Sequence, residues 1–156
     1  MDFSIPIFLI TYGAIGFFIV YHLSLPLKLM YFIQMTLLLL LFRTITLFLF
    51  RFDAPEMIVL KDPILNTFIY QLNDAGQYNQ HDLFFSGHTA NLFLASILFK
   101  NKNLKKIFLF FTFLMAVFIV LQHAHYSIDV IFAPLFSCLA LYLHKKYYSH
   151  LTCINR

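Results

Sequence analysis

The sequence predicts an all-α membrane protein: a polytopic bundle of about five transmembrane helices in a single integral-membrane domain, 1–156. Of the 156 residues, 61% are apolar and 12% are charged, against about 45–50% and about 25% in a typical soluble domain. The mean hydropathy is +0.79. This composition excludes a water-soluble globular domain, and it lacks the low hydrophobicity and high charge of a disordered chain.

Apolar runs that are nearly free of charge place the spans, because a charge at the bilayer centre costs about 2.5–3.5 kcal/mol. The five runs are 5–21, 29–50, 84–99, 107–121 and 127–143. A helix needs roughly 17–25 residues to cross the hydrocarbon, and the third and fifth runs are at or just below that minimum. The first run has neither a basic start nor a small-residue cleavage site, so we interpret it as a retained span and not as a signal peptide.

One long polar segment, 51–83, separates the second span from the third. It contains Pro55, Pro63 and Gly76, which interrupt regular helices. We therefore expect an extramembrane loop here. Its stretch 64–72 is too brief for its periodicity to decide whether it forms a short interfacial helix.

Lysine and arginine are divided unequally between the two sides of five alternating spans. Arg51 and Lys61 lie on one side, and Arg43 lies inside a span. The other eight share the opposite side: Lys28, Lys100, Lys102, Lys105, Lys106, Lys145, Lys146 and Arg156. The positive-inside rule makes these eight cytoplasmic, so we expect the N-terminus, the loop and the junction near His125 on the periplasmic or exoplasmic side.

The basic run 100–106 is interpreted as part of this topology signal. An anionic-lipid site or a nucleic-acid site is the alternative interpretation of the same run. The net charge of +4 requires no nucleic acid to explain it.

Two arginines lie near the end of the second span. Arg43 is seven residues before Phe50, roughly 10 Å below the expected helix end. Arg51 falls within about 80° of Arg43 around the helix. Planar, five-donor guanidiniums suit a phosphate, which they neutralise and hold by paired hydrogen bonds. Alternatively, Arg51 is a flanking anchor and Arg43 extends to the surface, although a charge within a span is functional by default.

The third span opens with Ser86, Gly87 and His88. A helix start attracts anions through its dipole and its N–H groups, and a histidine can supply a proton near neutral pH. The alternative is an interfacial histidine that only binds water.

The fifth span opens with His125 and Asp129, which are four residues apart and share a helix face. Asp129 can accept the ring N–H of His125 and leave the other nitrogen available as nucleophile or base. Alternatively, Asp129 is a carboxylate favoured by the helix dipole alone.

The expected topology places the end of the second span and the starts of the third and fifth spans on the same side of the membrane. They then supply a cation, backbone donors, an acid, a nucleophile and an orienting carboxylate, which suffices for phosphoryl transfer without a metal. A different class of function, metal or haem binding, is suggested by His123 and His125 with His81 and His88 nearby. A transporter or scaffold with a degenerate site is the third class.

The motifs resemble the type-2 phosphatidic acid phosphatase superfamily, through Ser86-Gly87-His88 followed by His125-xxx-Asp129. The longer strings are similar to its sphingomyelin synthase-like branch: Asp82-xxx-Ser86-Gly87-His88-Thr89, His125-Tyr126-Ser127-Ile128-Asp129-Val130 and Arg43-Thr44-Ile45-Thr46. The resemblance spans roughly residues 40 to 135 in order and spacing.

The resemblance implies a metal-independent enzyme with no cofactor that cleaves a phosphate bond of a membrane lipid. It implies that His125 attacks phosphorus, that Asp129 supports it and that His88 protonates the leaving oxygen. Arg43, Arg51, Ser86 and Gly87 are the expected phosphate-binding residues. The acceptor is water or a lipid alcohol such as ceramide or diacylglycerol.

The chain also departs from the superfamily pattern. It lacks the Lys-x6-Arg-Pro motif of the soluble acid phosphatases and has Ile119 where those enzymes have arginine. His81 replaces the glycine, and Ser127 the threonine, that are usual in the synthase-like branch. That branch usually has six spans, so one N-terminal span is expected to be missing.

Overall fold

The computed structural model describes residues 3–49, 85–123 and 125–148. These residues form five α-helices and no strand: α1 Ser4–Tyr21, α2 Pro26–Leu49, α3 Gly87–Leu98, α4 Lys102–Leu121 and α5 Ser127–Tyr148. The all-α prediction is confirmed. Four helices, α1, α2, α4 and α5, are long and apolar enough to cross a membrane. The predicted loop 51–83 lies outside the described residues.

Helix α3 is shorter than the predicted span 84–99. It has 12 residues, or about 18 Å of helix, which is less than the hydrocarbon thickness. It begins at Gly87 because Ser86 is the N-cap, whose hydroxyl accepts the N–H of Thr89 at 3.4 Å. Phe85, just before the cap, has a φ of +34°, so the backbone turns sharply before the helix begins.

The short helix α3 lies at the centre of the bundle. It packs against all four other helices, and Leu92, Leu94 and Ala95 on it are fully buried. The Ser137 hydroxyl of α5 donates to the carbonyl of Ala90 at 2.9 Å, and the Thr36 hydroxyl of α2 donates to Oδ1 of Asn91 at 3.3 Å. Small residues and interhelical hydrogen bonds are the usual means of packing helices in lipid.

The outer helices show the reverse of a soluble protein's pattern. Large apolar side chains such as Ile5, Leu9 and Phe48 are more than 70% exposed, whereas the buried set includes many polar residues. Apolar groups on the outside and polar groups between helices fit a chain whose solvent is lipid. The structure therefore supports an integral membrane protein.

Hydrogen bonds show which helix ends meet. Gln122, which follows α4, accepts the N–H of Phe3 at 3.0 Å and donates to the hydroxyl of Ser4 at 3.0 Å. The N–H of Ser86 donates to the carbonyl of Asp129 at 3.2 Å. The starts of α1, α3 and α5 and the end of α4 therefore lie at one end of the bundle, the "site end". The opposite end, formed by residues 22–28, 99–106 and 141–148, is called the "lysine end".

Candidate active site

His125 and Asp129 face each other at the start of α5. His125 is 8% exposed and Asp129 is 3% exposed. Nδ1 of the imidazole lies 3.6 Å from Oδ2 of the carboxylate, slightly beyond hydrogen-bonding distance. Among the described residues, nothing hydrogen-bonds to this buried Nδ1. A small movement would join the two groups, and the ring's Nδ1–H would then point at the carboxylate.

Asp129 also has a structural role. Its Oδ2 accepts the N–H of Tyr126 at 3.0 Å, which is the carboxylate half of a helix capping box. This contact fixes the carboxylate in place beside His125. Both interpretations of Asp129 from the sequence, orienting group and helix-start carboxylate, are thus compatible with one geometry.

Ser86, Gly87 and His88 form the start of α3, with Gly87 as its first residue. The hydroxyl of Ser86 is fully buried and accepts both the N–H and the hydroxyl of Thr89, at 3.4 and 3.1 Å. Its observed role is to cap the helix. Its expected role in holding phosphate stays a prediction.

Arg43 reaches from α2 to the start of α3. A Cβ atom on Gly87 would lie 2.6 Å from Nη1 of Arg43 and 3.8 Å from its Cζ. Side chains larger than hydrogen cannot approach so closely, so glycine is what allows the guanidinium to lie against this backbone. A fixed cation thus sits at the positive end of a helix dipole, where an anion is the complementary partner.

The ring of His88 lies against α1. It meets the ring of Phe8 edge to face, with centroids 5.4 Å apart. Phe8 is buried, and α1 is in turn fixed to the end of α4 through Gln122. The orientation of His88 therefore depends on a helix that carries none of the predicted catalytic residues.

The predicted site residues fall into two connected pairs and one neighbour. His125 lies beside Asp129, and Arg43 lies against Gly87, whereas His88 directly follows Gly87 in α3. The hydrogen bond from Ser86 N–H to the Asp129 carbonyl joins the two motifs. Arg51, the other predicted phosphate ligand, lies outside the described residues.

The metal-binding alternative depended on four histidines. Within the described ranges, no group of three or more His, Cys, Asp or Glu side chains could hold a metal ion. His81 falls outside those ranges. His123 has a φ of +55° and is exposed, and this left-handed residue helps the chain turn from α4 toward α5.

Sequence reasoning missed two positioning residues. Gln122, a lone amide after a long apolar helix, ties α1 to the junction before His125. A polar side chain at the end of an apolar span was the sequence signal that could have identified Gln122. Phe85 is 1% exposed and stacks on Phe136 of α5 with ring centroids 4.5 Å apart. No sequence pattern distinguishes it from the chain's other phenylalanines.

The candidate site carries more positive than negative charge. It combines the Arg43 guanidinium with the starts of α3 and α5, each equivalent to about half a positive charge. Asp129 is the one acidic residue in the described part of the chain. A phosphate group beside His125 would meet this positive surface.

Residues 81–146 match the family model described as PAP2 superfamily C-terminal. The PAP2 match contains α3, α4 and nearly all of α5, and therefore both histidine motifs. The match shows that this segment is similar to the PAP2 superfamily. It does not extend to the sphingomyelin synthase-like branch. No curated protein and no solved structure gives a significant match to the chain.

Proposed function

We propose that this protein is a membrane enzyme that cleaves a phosphate bond of a lipid through a phosphohistidine on His125. The observation that carries the proposal is the hydrogen bond from the Ser86 N–H to the Asp129 carbonyl at 3.2 Å. It joins the helix start that bears His88 to the helix start that bears the pair His125 and Asp129. The PAP2 match over the same segment supports this chemistry.

In the first step, Nε2 of His125 attacks phosphorus while Nδ1–H points to Asp129. The carboxylate stabilises the positive charge that the imidazole acquires as the N–P bond forms. The bond from phosphorus to the leaving oxygen breaks, and protonated His88 donates its proton to that oxygen. Charge on the phosphoryl oxygens is met by Arg43 and by the amides at the start of α3.

In the second step, an acceptor hydroxyl attacks the phosphohistidine. His88, now neutral, takes the proton from that hydroxyl, the N–P bond breaks, and His125 returns to its starting state. If water is the acceptor, the product is a phosphate or a phosphorylated head group. If a lipid alcohol such as ceramide or diacylglycerol is the acceptor, the product is a new phospholipid.

A lipid is the proposed substrate because of where the site lies. Arg43 is six residues before the end of α2, or about 9 Å below it, and the surrounding outer surface is apolar. A lipid can bring its phosphate to this depth while its acyl chains stay in the bilayer. On the orientation expected from the lysine distribution, this is the exoplasmic leaflet.

Product analysis tests the proposal. The purified full chain is incubated with vesicles of a phospholipid labelled in the head-group phosphorus, with and without ceramide or diacylglycerol. We expect either released labelled phosphate or head group, or a new labelled phospholipid, and these two outcomes separate hydrolysis from transfer. A chelator should leave the rate unchanged, whereas a phosphate-like anion such as vanadate should inhibit.

The covalent intermediate gives a second, more specific readout. Rapid quenching with base should trap label on the protein in an acid-labile bond, as expected for phosphohistidine. A His125→Asn variant should carry no label, whereas His144→Gln, which changes a buried histidine of the lysine end, should label normally. If no phospholipid, lipid phosphate or phosphate monoester is turned over by a folded chain, the proposal is wrong.

A further inference from the structure

The lysine end contains a cation cluster that the proposed chemistry does not use. Nζ of Lys28 lies 3.4 Å from Nε2 of His22, and the ring of His22 contacts that of Phe99, the residue before Lys100, with centroids 5.2 Å apart. His22 is fully buried, and its Nδ1 lies 3.0 Å from the carbonyl of Phe18. That contact fixes Nδ1 as the donor, so Nε2 is an acceptor that holds the Lys28 ammonium.

No carboxylate neutralises this cluster within the described residues. The segments 22–28, 99–106 and 141–148 contain no acidic residue, and Asp129, the acidic residue that the structure describes, lies at the site end. Burial lowers the pKa of His22, and the charge of Lys28 acts in the same direction. The imidazole therefore stays neutral and leaves two ammonium charges to be balanced by something outside these segments.

An apolar groove lies between α1 and α4. Its volume is about 480 Å³. It is lined by Leu9, Ile10, Gly13, Ala14, Phe17, Leu104, Ile107, Phe108 and Phe111. A Cβ atom on Gly13 would meet nothing within 4 Å, so this glycine does not bring the helices closer together. It instead leaves space in the groove that a larger residue would fill.

Ring contacts join the groove to the cation cluster. Phe17 and Phe108 line the groove with centroids 6.1 Å apart, and the ring of Phe108 contacts that of Phe99 in a tilted arrangement with centroids 4.6 Å apart. Phe99 contacts the ring of His22 at 5.2 Å and directly precedes Lys100. The rings of Phe99 and His22 therefore connect the groove with Lys100, which follows Phe99, and with Lys28, whose Nζ lies 3.4 Å from His22.

We propose that the groove between α1 and α4 binds one acyl chain of an anionic phospholipid whose phosphate lies between Lys28 and Lys100. Charge complementarity selects this occupant, because no carboxylate lies beside these two cations among the described residues, and the side chains that line the groove are apolar and offer a peptide no polar group. A neutral lipid would fill the groove equally well but would leave the ammonium groups unbalanced. This site is separate from His125 and lies at the opposite end of the bundle.

Lipid retention by the full chain tests the proposal. The protein is purified in detergent with equal amounts of phosphatidylglycerol and phosphatidylcholine, and the lipids that remain bound are counted by native mass spectrometry. We expect one phosphatidylglycerol per chain in preference to phosphatidylcholine. In the double variant Lys28→Gln/Lys100→Gln, the amount of bound phosphatidylglycerol should fall by about fivefold for each lysine replaced. Gly13→Leu should also lose this lipid.

Two matched controls separate this site from general attraction. Lys145→Gln/Lys146→Gln removes the same charge from the same end of the bundle, and Gly16→Leu adds the same bulk to α1 at a residue that does not line the groove. Both should retain phosphatidylglycerol as the wild type does. The proposal is overturned if the controls lose as much lipid as the test variants, if phosphatidylcholine binds equally well, or if the test variants keep their lipid. Circular dichroism confirms that each variant is folded.

Discussion

The two ends of the bundle each bury a histidine, but the partners of the two rings differ. At the lysine end, His22 has both ring nitrogens engaged, one by the Phe18 carbonyl and the other by Lys28. At the site end, Nδ1 of His125 lies 3.6 Å from the Asp129 carboxylate and has no hydrogen-bond partner among the described residues. The first arrangement holds a ring in place through both nitrogens, whereas the second leaves Nδ1 beside a carboxylate without a hydrogen bond among the described residues. Burial alone therefore does not identify a reactive histidine; its partners do.

The strongest test of this difference is to replace His125 and His22 in separate variants. His125→Asn should lower phosphate transfer by at least about 10⁴-fold, because it removes the nucleophile. His22→Gln should leave the rate within about twofold. Phosphate release from labelled lipid vesicles measures both. Equal losses in the two variants would mean that the ends do not differ in the way described.

The next test changes the partner and keeps the ring. Asp129→Asn retains an oxygen that can accept the Tyr126 N–H but removes the charge that faces His125. We expect kcat to fall by about 10³-fold or more, with little change in helix content. A variant that keeps full activity would assign the carboxylate to helix capping alone, so the far-ultraviolet dichroism spectrum is recorded alongside the rate.

A smaller loss of activity is expected when the contact between the Arg43 guanidinium and Gly87 of α3 is disturbed. In Gly87→Ala, the new methyl group would lie 2.6 Å from Nη1 of Arg43, so the guanidinium must move. A displacement of about 1 Å at a catalytic group costs on the order of 100-fold in rate. Helix stability should hold or rise, since alanine is the better helix former.

The Gly87→Ala variant has a matched control at Gly16, where an added Cβ meets nothing within 4 Å. Gly16→Ala should leave both kcat and KM unchanged. If the two alanine variants lose activity equally, or if neither does, the close approach of Arg43 has no part in the reaction.

The smallest effect is a pH dependence of stability from the lysine end. Because burial lowers the pKa of His22 in the folded chain, the unfolded chain takes up a proton first, near pH 6.5. The stabilisation is complete above that pH and is lost as the pH falls toward the lowered value. The loss in melting temperature between pH 7.5 and 5.5 should be smaller in His22→Gln than in the wild type. An identical loss in both proteins would contradict the prediction.

Apolar runs predicted that these helices exist but misplaced the helix ends that carry lysines. The start of α4 lies at Lys102, not at 107, because Asn101 caps the helix and its first turns carry lysines that an apolar-run criterion leaves out. The end of α5 extends past 143 for the same reason, since Lys145 and Lys146 occupy its last turn. Charged residues can occupy the terminal turns of a membrane helix, so such a helix extends beyond its charge-free run.

The candidate site was predictable in composition but not in packing. Spacing of four residues was enough to pair His125 with Asp129, and the structure places them side by side. Arg43 and Gly87, which lie close together, are more than 40 positions apart in the sequence. Gln122 and the residue of the α1 start that it hydrogen-bonds are more than 110 positions apart. Such contacts follow from how helices assemble, which periodicity within one helix does not encode.

The length of α3 determines which residues its first turn can meet. It is about 18 Å long and is joined by three residues to α4, which is about 30 Å long. The start of α3 lies beside the first turn of α5, where the Ser86 N–H reaches the Asp129 carbonyl. A longer α3 would carry its start away from that contact, so the shortness of one helix sets the depth at which the segment bearing His88 joins the segment bearing His125.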